Sequence, residues 1–212
     1  MKKNLKEDIL NTGIRLFFEN GYNNTSVRQI AAACDIAVGN LNYYYPKKED
    51  IIMDYHNKLM TFFTDGLQEQ LSHSNPWINY FAAEYSFIHY IANDIPTRHL
   101  YKEVVNVPSL RDSYYEKHHE LFLNYMKEEP QEDTEDAYLA TTAMCSLEFF
   151  IIEQYDRFPH EWELDDLMYH IFESRLVFSH REPKAYRDVI QQGIEKGRLL
   201  KDLHYSSAFN EE

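Results

Sequence analysis

Apolar residues recur along most of this chain at intervals of three and four, the spacing of a helix with one buried face. In the first such stretch, Leu5, Ile9, Gly13, Leu16 and Phe17 form one stripe, predicting a helix over about 3–20 that ends at Gly21. Val27, Ile30, Ala31 and Cys34 give a shorter stripe. Ser26 precedes it as a cap, and Gln29, three residues on, completes a capping-box pattern. Asp35 then falls at a turn, a place that tolerates Asp in the left-handed conformation. A second short helix is expected from near Ala37 to Pro46, since the residue before a proline is pushed out of helix. From about Lys47 to Leu71 a long helix keeps the period through Ile51, Ile52, Tyr55, Leu59, Phe62, Phe63 and Leu67.

Beyond the break SHSNP at 72–76, the pattern predicts helices at about 77–93, 97–106, 109–128, 133–157, 163–180 and 183–197, set apart by Pro96, Pro108, Pro130, Pro159 and Pro183. The tail from His204 is polar and expected to fray. No alternating strand pattern, internal repeat or low-complexity run is present. The expected fold class is all-α: an N-terminal three-helix helix–turn–helix domain at 1–46, a connector helix at 47–71 and a larger helical domain at 72–212.

The second short helix carries the first functional signal. With Leu41 and Tyr45 turned to the core, a rotation of about 100° per residue points Gly39, Asn40 and Tyr43 outward. Val38 and Asn42 fall to one flank and Tyr44 to the other. Amides pair with base edges, hydroxyls with phosphates, and glycine allows close approach. One helix across the backbone and a second in the groove is the arrangement of a DNA-reading helix–turn–helix. The plain alternative is a helical hairpin that uses its aromatics for packing.

Charge changes this picture less than its total suggests. The net charge is −14, yet residues 1–60 hold eight Lys/Arg against seven Asp/Glu. The acidic load lies in the remainder, where it weakens non-specific attraction to DNA without falling on the reading helix. Hydrophobic residues make up 44% of 212, enough for a sizeable core. Two separate cysteines, Cys34 and Cys145, suit a reducing compartment and read as buried, inert thiols. No signal peptide or membrane span is apparent, so a cytoplasmic location and no membrane partner are expected.

The segments GYNNTSVRQIAAAC and VGNLNYYYPKKEDII, with the aromatic helix end FFENGY, resemble the TetR family of bacterial transcription regulators over roughly the first quarter of the chain. The resemblance implies phosphate contacts from Thr25, Ser26, Tyr43, Tyr44 and Lys48. It implies that Arg28, Val38, Gly39, Asn40 and Asn42 lie at or near base edges. The N-terminal lysines Lys2, Lys3 and Lys6 either reach the DNA backbone or begin a solvated helix. Three positions depart from the family pattern: Asp35 in place of Gly, Ala37 in place of Ser or Thr, and Asn42 in place of Tyr.

The resemblance also implies that the helical domain holds a small-molecule effector and pairs two chains. Its tyrosines, Tyr80, Tyr85, Tyr90, Tyr101, Tyr114, Tyr115 and Tyr125, suit either a cavity or a packed core. Glu148 interrupts the apolar run AMCSLEFFII and must be paired, protonated or near water. Tyr85, His89, Tyr101, Asn106 and Glu148 are the candidate effector contacts, and Glu148 is equally a candidate for a subunit contact. For the homodimer the candidates are Leu139, Ala143, Met144, Leu147, Phe150 and Ile151, with Leu164, Leu167, Met168, Ile171 and Phe172.

No nucleophile elbow, phosphate-binding glycine loop or zinc-protease motif appears. His118-His119 and His160-Glu161 belong to no recognisable ligand set, so no metal, no cofactor and no enzymatic activity are expected. The expected function is a repressor that binds double-stranded operator DNA and is released by a small lipophilic effector. Control by a protein partner, or a helical enzyme or carrier with a vestigial reading head, are the alternatives.

Overall fold

Side-chain caps and prolines decide where the helices begin. In the computed structural model, which describes residues 4–68, 75–128, 135–157 and 163–200, Asn75 accepts from the Trp77 amide at 2.9 Å and Asp94 from the Thr97 amide at 3.0 Å. Pro76 and Pro108 are first residues of helices and Pro96 a second residue. The first turn of a helix has no use for their missing N–H, so each proline opens a helix instead of separating two.

The helices, in order, are α1 (Leu5–Asn20), α2 (Val27–Ala33), α3 (Val38–Tyr44), α4 (Lys48–Gln68), α5 (Pro76–Asn93), α6 (Ile95–Val104), α7 (Pro108–Tyr125), α8 (Glu135–Gln154), α9 (Leu164–Phe178) and α10 (Arg187–Arg198). Single 3-10 turns follow α8 and precede α10, the latter taking Pro183–Tyr186 from the expected last helix. The described residues contain helices and no strands, so the all-α expectation holds. None of these helices is long and apolar enough to cross a membrane. The break at 72–74, Lys2 and Lys3, Pro130, Pro159, His160-Glu161 and the tail from His204 lie outside the described residues.

α1, α2 and α3 close around Ile9, Ile14, Phe17, Ile30, Ala31, Leu41 and Tyr45, and α4 seals them with Ile51 and Tyr55. The larger body is built on α5. This helix is apolar on nearly every face and is buried on nearly every face, from Trp77 to Ala92. α10 lies against it through two glycines. A Cβ at Gly193 would stand 2.6 Å from the Phe81 Cβ, and one at Gly197 would stand 2.8 Å from the Ala82 carbonyl oxygen.

The two parts are joined by more than α4. The Glu103 carboxylate on α6 accepts from the Asn23 amide in the α1–α2 loop at 2.8 Å, and the Tyr55 hydroxyl meets Thr97 Oγ1 at 3.4 Å. α6 therefore touches both the loop that sets α2 and the helix that follows α3.

Candidate nucleic-acid interface and the buried polar cluster

The local sequence fixes the helix–turn–helix atom by atom. Gln29 N donates to Ser26 Oγ at 3.3 Å, and Ser26 N donates to Gln29 Oε1 at 2.7 Å, completing the capping box. Asp35 takes a φ of 54°, the left-handed turn. Ala37 makes no side-chain cap on α3, as its methyl dictates. Leu41 and Tyr45 are buried, and the Tyr45 hydroxyl donates to Asp54 on α4 at 2.6 Å. Burial opposes the Asp54 charge, but Tyr45 and Lys6 outweigh it and hold this carboxyl below its ordinary range. α3 is thus anchored along one side only.

Its other side is open. Val38, Gly39, Asn40, Asn42, Tyr43 and Tyr44 are exposed, Tyr43 to 82%, and Tyr44 meets its ring edge-on at 5.1 Å. Arg28 and Ser26 are exposed on the adjoining face of α2. Two expected phosphate contacts are turned elsewhere. Thr25 is buried, and its hydroxyl donates to the carbonyls of Gly21 and Leu16 at 2.8 and 3.2 Å. Lys48 donates to the carbonyls of Tyr22 and Thr25 at 2.7 and 3.1 Å and lies over the Tyr22 ring. Both side chains hold the α1–α2 loop, which spacing alone could not show because their partners are backbone carbonyls of that loop and of α1.

The candidate effector residues do not share one site. Tyr101 and Glu148 reach the centre of the body; Tyr85 stacks on His89 and donates to Asp165 on α9; Asn106 is exposed and donates to Glu153 at 3.1 Å. A pocket between α4, α6, α7 and α8, lined by Met53, His56, Tyr101, Val105, Tyr114 and Phe149, has room for about one water molecule.

Beside that pocket lies a buried polar cluster drawn from five helices. His118 Nδ1 donates to the Glu84 carboxylate at 2.8 Å. Tyr114 stacks on His118 with ring centroids 4.0 Å apart and donates to Glu148 at 3.3 Å. His56, on α4, pairs with the Tyr101 hydroxyl at 3.0 Å. Burial, then the neighbouring His118, pushes the His56 imidazole well below its ordinary range. Burial, then the Glu84 charge, pushes the Glu148 carboxyl well above its own. The sequence reading missed Glu84 and His56. The signal that singled out Glu148, an acid inside an apolar run, is present at Glu84 in FAAEYSF as well.

The dimer candidates divide in two. Met144, Ile151, Leu164, Met168, Ile171 and Phe172 are buried within the chain, so these six belong to its own core and not to a surface. The error has a simple cause: a helix in a two-layer packing carries two apolar stripes, and periodicity does not say which one faces outward. Leu139, Leu147 and Phe150 are exposed on α8 with Ala143 partly so, and Leu167 is half-buried on α9 beside exposed Val177 and Phe178. Cys34 is also partly exposed, unlike Cys145, which is fully buried.

An all-α chain with an N-terminal helix–turn–helix, its second helix anchored by one face and bare on the other, has the architecture of a helix–turn–helix regulator. Residues 9–54 match the model of the family described as bacterial regulatory proteins, tetR family. The chain is 39% identical over 57 residues to the HTH-type transcriptional regulator YuxN of Bacillus subtilis, covering 25% of this chain and 20% of YuxN. It spans less than two thirds of the length of the curated relatives it matches. Similarity of fold reaches further. RolR, solved with resorcinol, superposes with a TM-score of 0.57 at 14% identity, covering 89% of this chain and 93% of RolR. FadR from Bacillus subtilis, solved with stearoyl-CoA, gives 0.51 at 16%, covering 80% of this chain and 96% of FadR. The match to the TetR family is carried by the N-terminal residues 9–54.

Proposed function

We propose that this protein is a dimeric transcriptional repressor that binds operator DNA through α3 and is released by a small molecule held in the helical body. The observation that carries the reading is the bare face of α3. A seven-residue helix that buries only Leu41 leaves its amides, glycine and phenol in solvent. Such a face has no role in packing, and it carries the groups that read a major groove. Asn40 and Asn42 are the proposed base contacts, with Arg28, Val38 and Gly39 at or near the base edges and Tyr43, Tyr44 and Ser26 toward the backbone.

Pairing follows from the exposed apolar residues of α8 and α9. A two-fold dimer through Leu139, Leu147, Phe150 and Phe178 presents two copies of α3 to successive turns of DNA and favours a palindromic site. Gating follows from α4 and α6. α4 carries Tyr55 and His56 into the body and begins next to α3, while Glu103 of α6 holds the α1–α2 loop. The pocket beside His56 is small, so an effector enters at that place by parting the helices. It shifts the population toward the parted state by binding that state more tightly. The aromatic lining and the buried acids favour a lipophilic effector with a polar or cationic end. Ligands seen in RolR and FadR support a small molecule in this fold.

Fluorescence anisotropy with DNA flanking the protein's own gene tests the DNA-binding reading. Wild type binds tightly, loses affinity steeply with added salt and resists competitor DNA, while Asn40→Ala and Tyr43→Ala bind weakly. Equal binding of random DNA and of both variants would sink it. A second reading is favoured by the close packing beside His56: control by a protein partner instead of a small molecule. Titration calorimetry with lipophilic cations and matched neutral and anionic compounds separates the two. Cation binding supports the effector reading; heat from anions alone refutes the charge argument, and heat from none favours the partner.

A further inference from the structure

Three donor groups from two helices converge in the buried cluster. They are His118 on α7 and Cys145 and Glu148 on α8. A ring nitrogen, the thiol sulfur and a carboxylate oxygen lie within 4.8 Å of one another, and all three side chains are fully buried. Cys145 and Glu148 are three residues apart, which puts them on one face of α8.

The hydrogen bonds leave two polar atoms of the cluster without partners. His118 Nδ1 is held by both oxygens of Glu84, at 2.8 and 3.0 Å, which fixes the ring and leaves Nε2 as the nitrogen not engaged by that carboxylate. That Nε2 has no hydrogen-bond partner. Glu148 accepts from Tyr114 on Oε2, and its Oε1 has no partner either. Buried polar atoms are ordinarily satisfied, and two unsatisfied ones beside a thiol form an incomplete shell. A histidine fixed through Nδ1 by a carboxylate, with Nε2 presented inward, is the outer-shell arrangement of metal-ligating histidines.

We propose that His118 Nε2, Cys145 Sγ and Glu148 Oε1 bind one divalent transition-metal ion of the zinc class, with Glu84 positioning His118. One nitrogen, one sulfur and one oxygen suit a borderline-soft ion and not a hard one such as magnesium or calcium. Three protein ligands leave a fourth tetrahedral position for water or a small donor. In such a site the ligand atoms stand about 3.3–3.8 Å apart, so the three groups draw in by about 1 Å on binding. His56 stands next to this position, its ring centroid 5.4 Å from that of His118 and its own Nε2 without a partner.

The charges balance with the ion present. A bound ion takes the thiolate of Cys145 and the carboxylate of Glu148, so both groups give up their protons. Binding exchanges these two protons for one divalent ion: the S–H and the carboxyl O–H break, metal–sulfur and metal–oxygen bonds form, and two protons leave to solvent. The other titratable groups around the site are His56, Tyr80, Glu84, Tyr101, Tyr114 and Arg175. Affinity therefore rises with pH.

The test uses the full chain, stripped with a chelator and titrated with cobalt(II) under reducing conditions. We expect one ion per chain, a thiolate-to-cobalt charge-transfer absorption, its displacement by zinc, and tighter binding at higher pH. The absorption persists in Cys34→Ser and disappears in Cys145→Ala with helicity retained. Glu84→Gln weakens binding about 10- to 100-fold. No charge-transfer absorption at one equivalent in the unaltered chain overturns the proposal. So does an absorption that survives Cys145→Ala. Either result leaves the DNA-binding reading standing, since that is measured on α3.

Discussion

Two glycines in this chain make opposite predictions when replaced by alanine. At Gly39, on the open face of α3, a Cβ would meet nothing within 4 Å. Packing therefore has no need of glycine there, and glycine in a helix costs about 0.5–1 kcal/mol relative to alanine. Gly39→Ala should raise stability by about that amount, or about 1–4 °C in melting temperature for a chain of this size. The same methyl group would stand between α3 and the base edges. A methyl forced into a close interface costs about 1–3 kcal/mol, which is roughly a 5- to 150-fold loss of operator affinity. At Gly197 a Cβ would lie 2.6 Å from Tyr85 Cδ1 and 2.8 Å from the Ala82 carbonyl oxygen. One of these is backbone and cannot rotate away, so Gly197→Ala should lose about 1–3 kcal/mol of stability. Below its melting temperature it should bind operator like wild type. Thermal melts by circular dichroism and anisotropy titrations at fixed salt measure both quantities. A Gly39→Ala protein that melts higher yet binds operator within twofold of wild type would refute the placement of α3 in the groove.

Three further outcomes follow from particular side chains. Phe150 is 54% exposed. Of roughly 200 Å² on its ring, about 110 Å² is available to a partner, worth about 2.5 kcal/mol and counted twice in a two-fold dimer. Phe150→Ala should then weaken self-association by roughly several thousand-fold in sedimentation equilibrium, while Leu199→Ala, exposed just past α10, leaves it unchanged. Glu148 in the chelator-treated protein holds a proton that the unfolded chain gives up near pH 4.5. Its contribution is complete below that pH and is lost as pH rises through the higher folded value. Glu148→Gln should remove a fall in unfolding free energy of up to about 1.4 kcal/mol per pH unit above that point. His56 has the opposite sense: folding keeps it neutral, so stability falls as pH drops below 6.5, and His56→Gln should resist acid unfolding better.

The reading head was legible in the chain because its determinants are local. The Ser26–Gln29 box, the left-handed Asp35 and the Leu41–Tyr45 pair each act within four residues, and the structure holds all of them. Helix ends were legible for the same reason, apart from prolines that start helices instead of separating them. What failed in the sequence reading depended on a second element. Thr25 and Lys48 carry groups that suit phosphates, but their partners lie on the α1–α2 loop and on α1. Six apolar residues expected at a dimer face were claimed by the chain's own core, because α8 and α9 each bury one stripe and expose another.

The sequence by itself determined the helices, the turn between α2 and α3 and the polar face of α3, since hydrogen bonds and side-chain spacing within one turn specify them. Only the tertiary structure decided which stripe of α8 is surface, and it alone brought Glu84 against His118 across 34 residues of chain. It alone set Cys145 and Glu148 beside that pair. A ligand set of this kind has no spacing rule to read. Its members come from helices whose mutual placement is fixed by core packing, which depends on side-chain volumes throughout the body and not on any local motif.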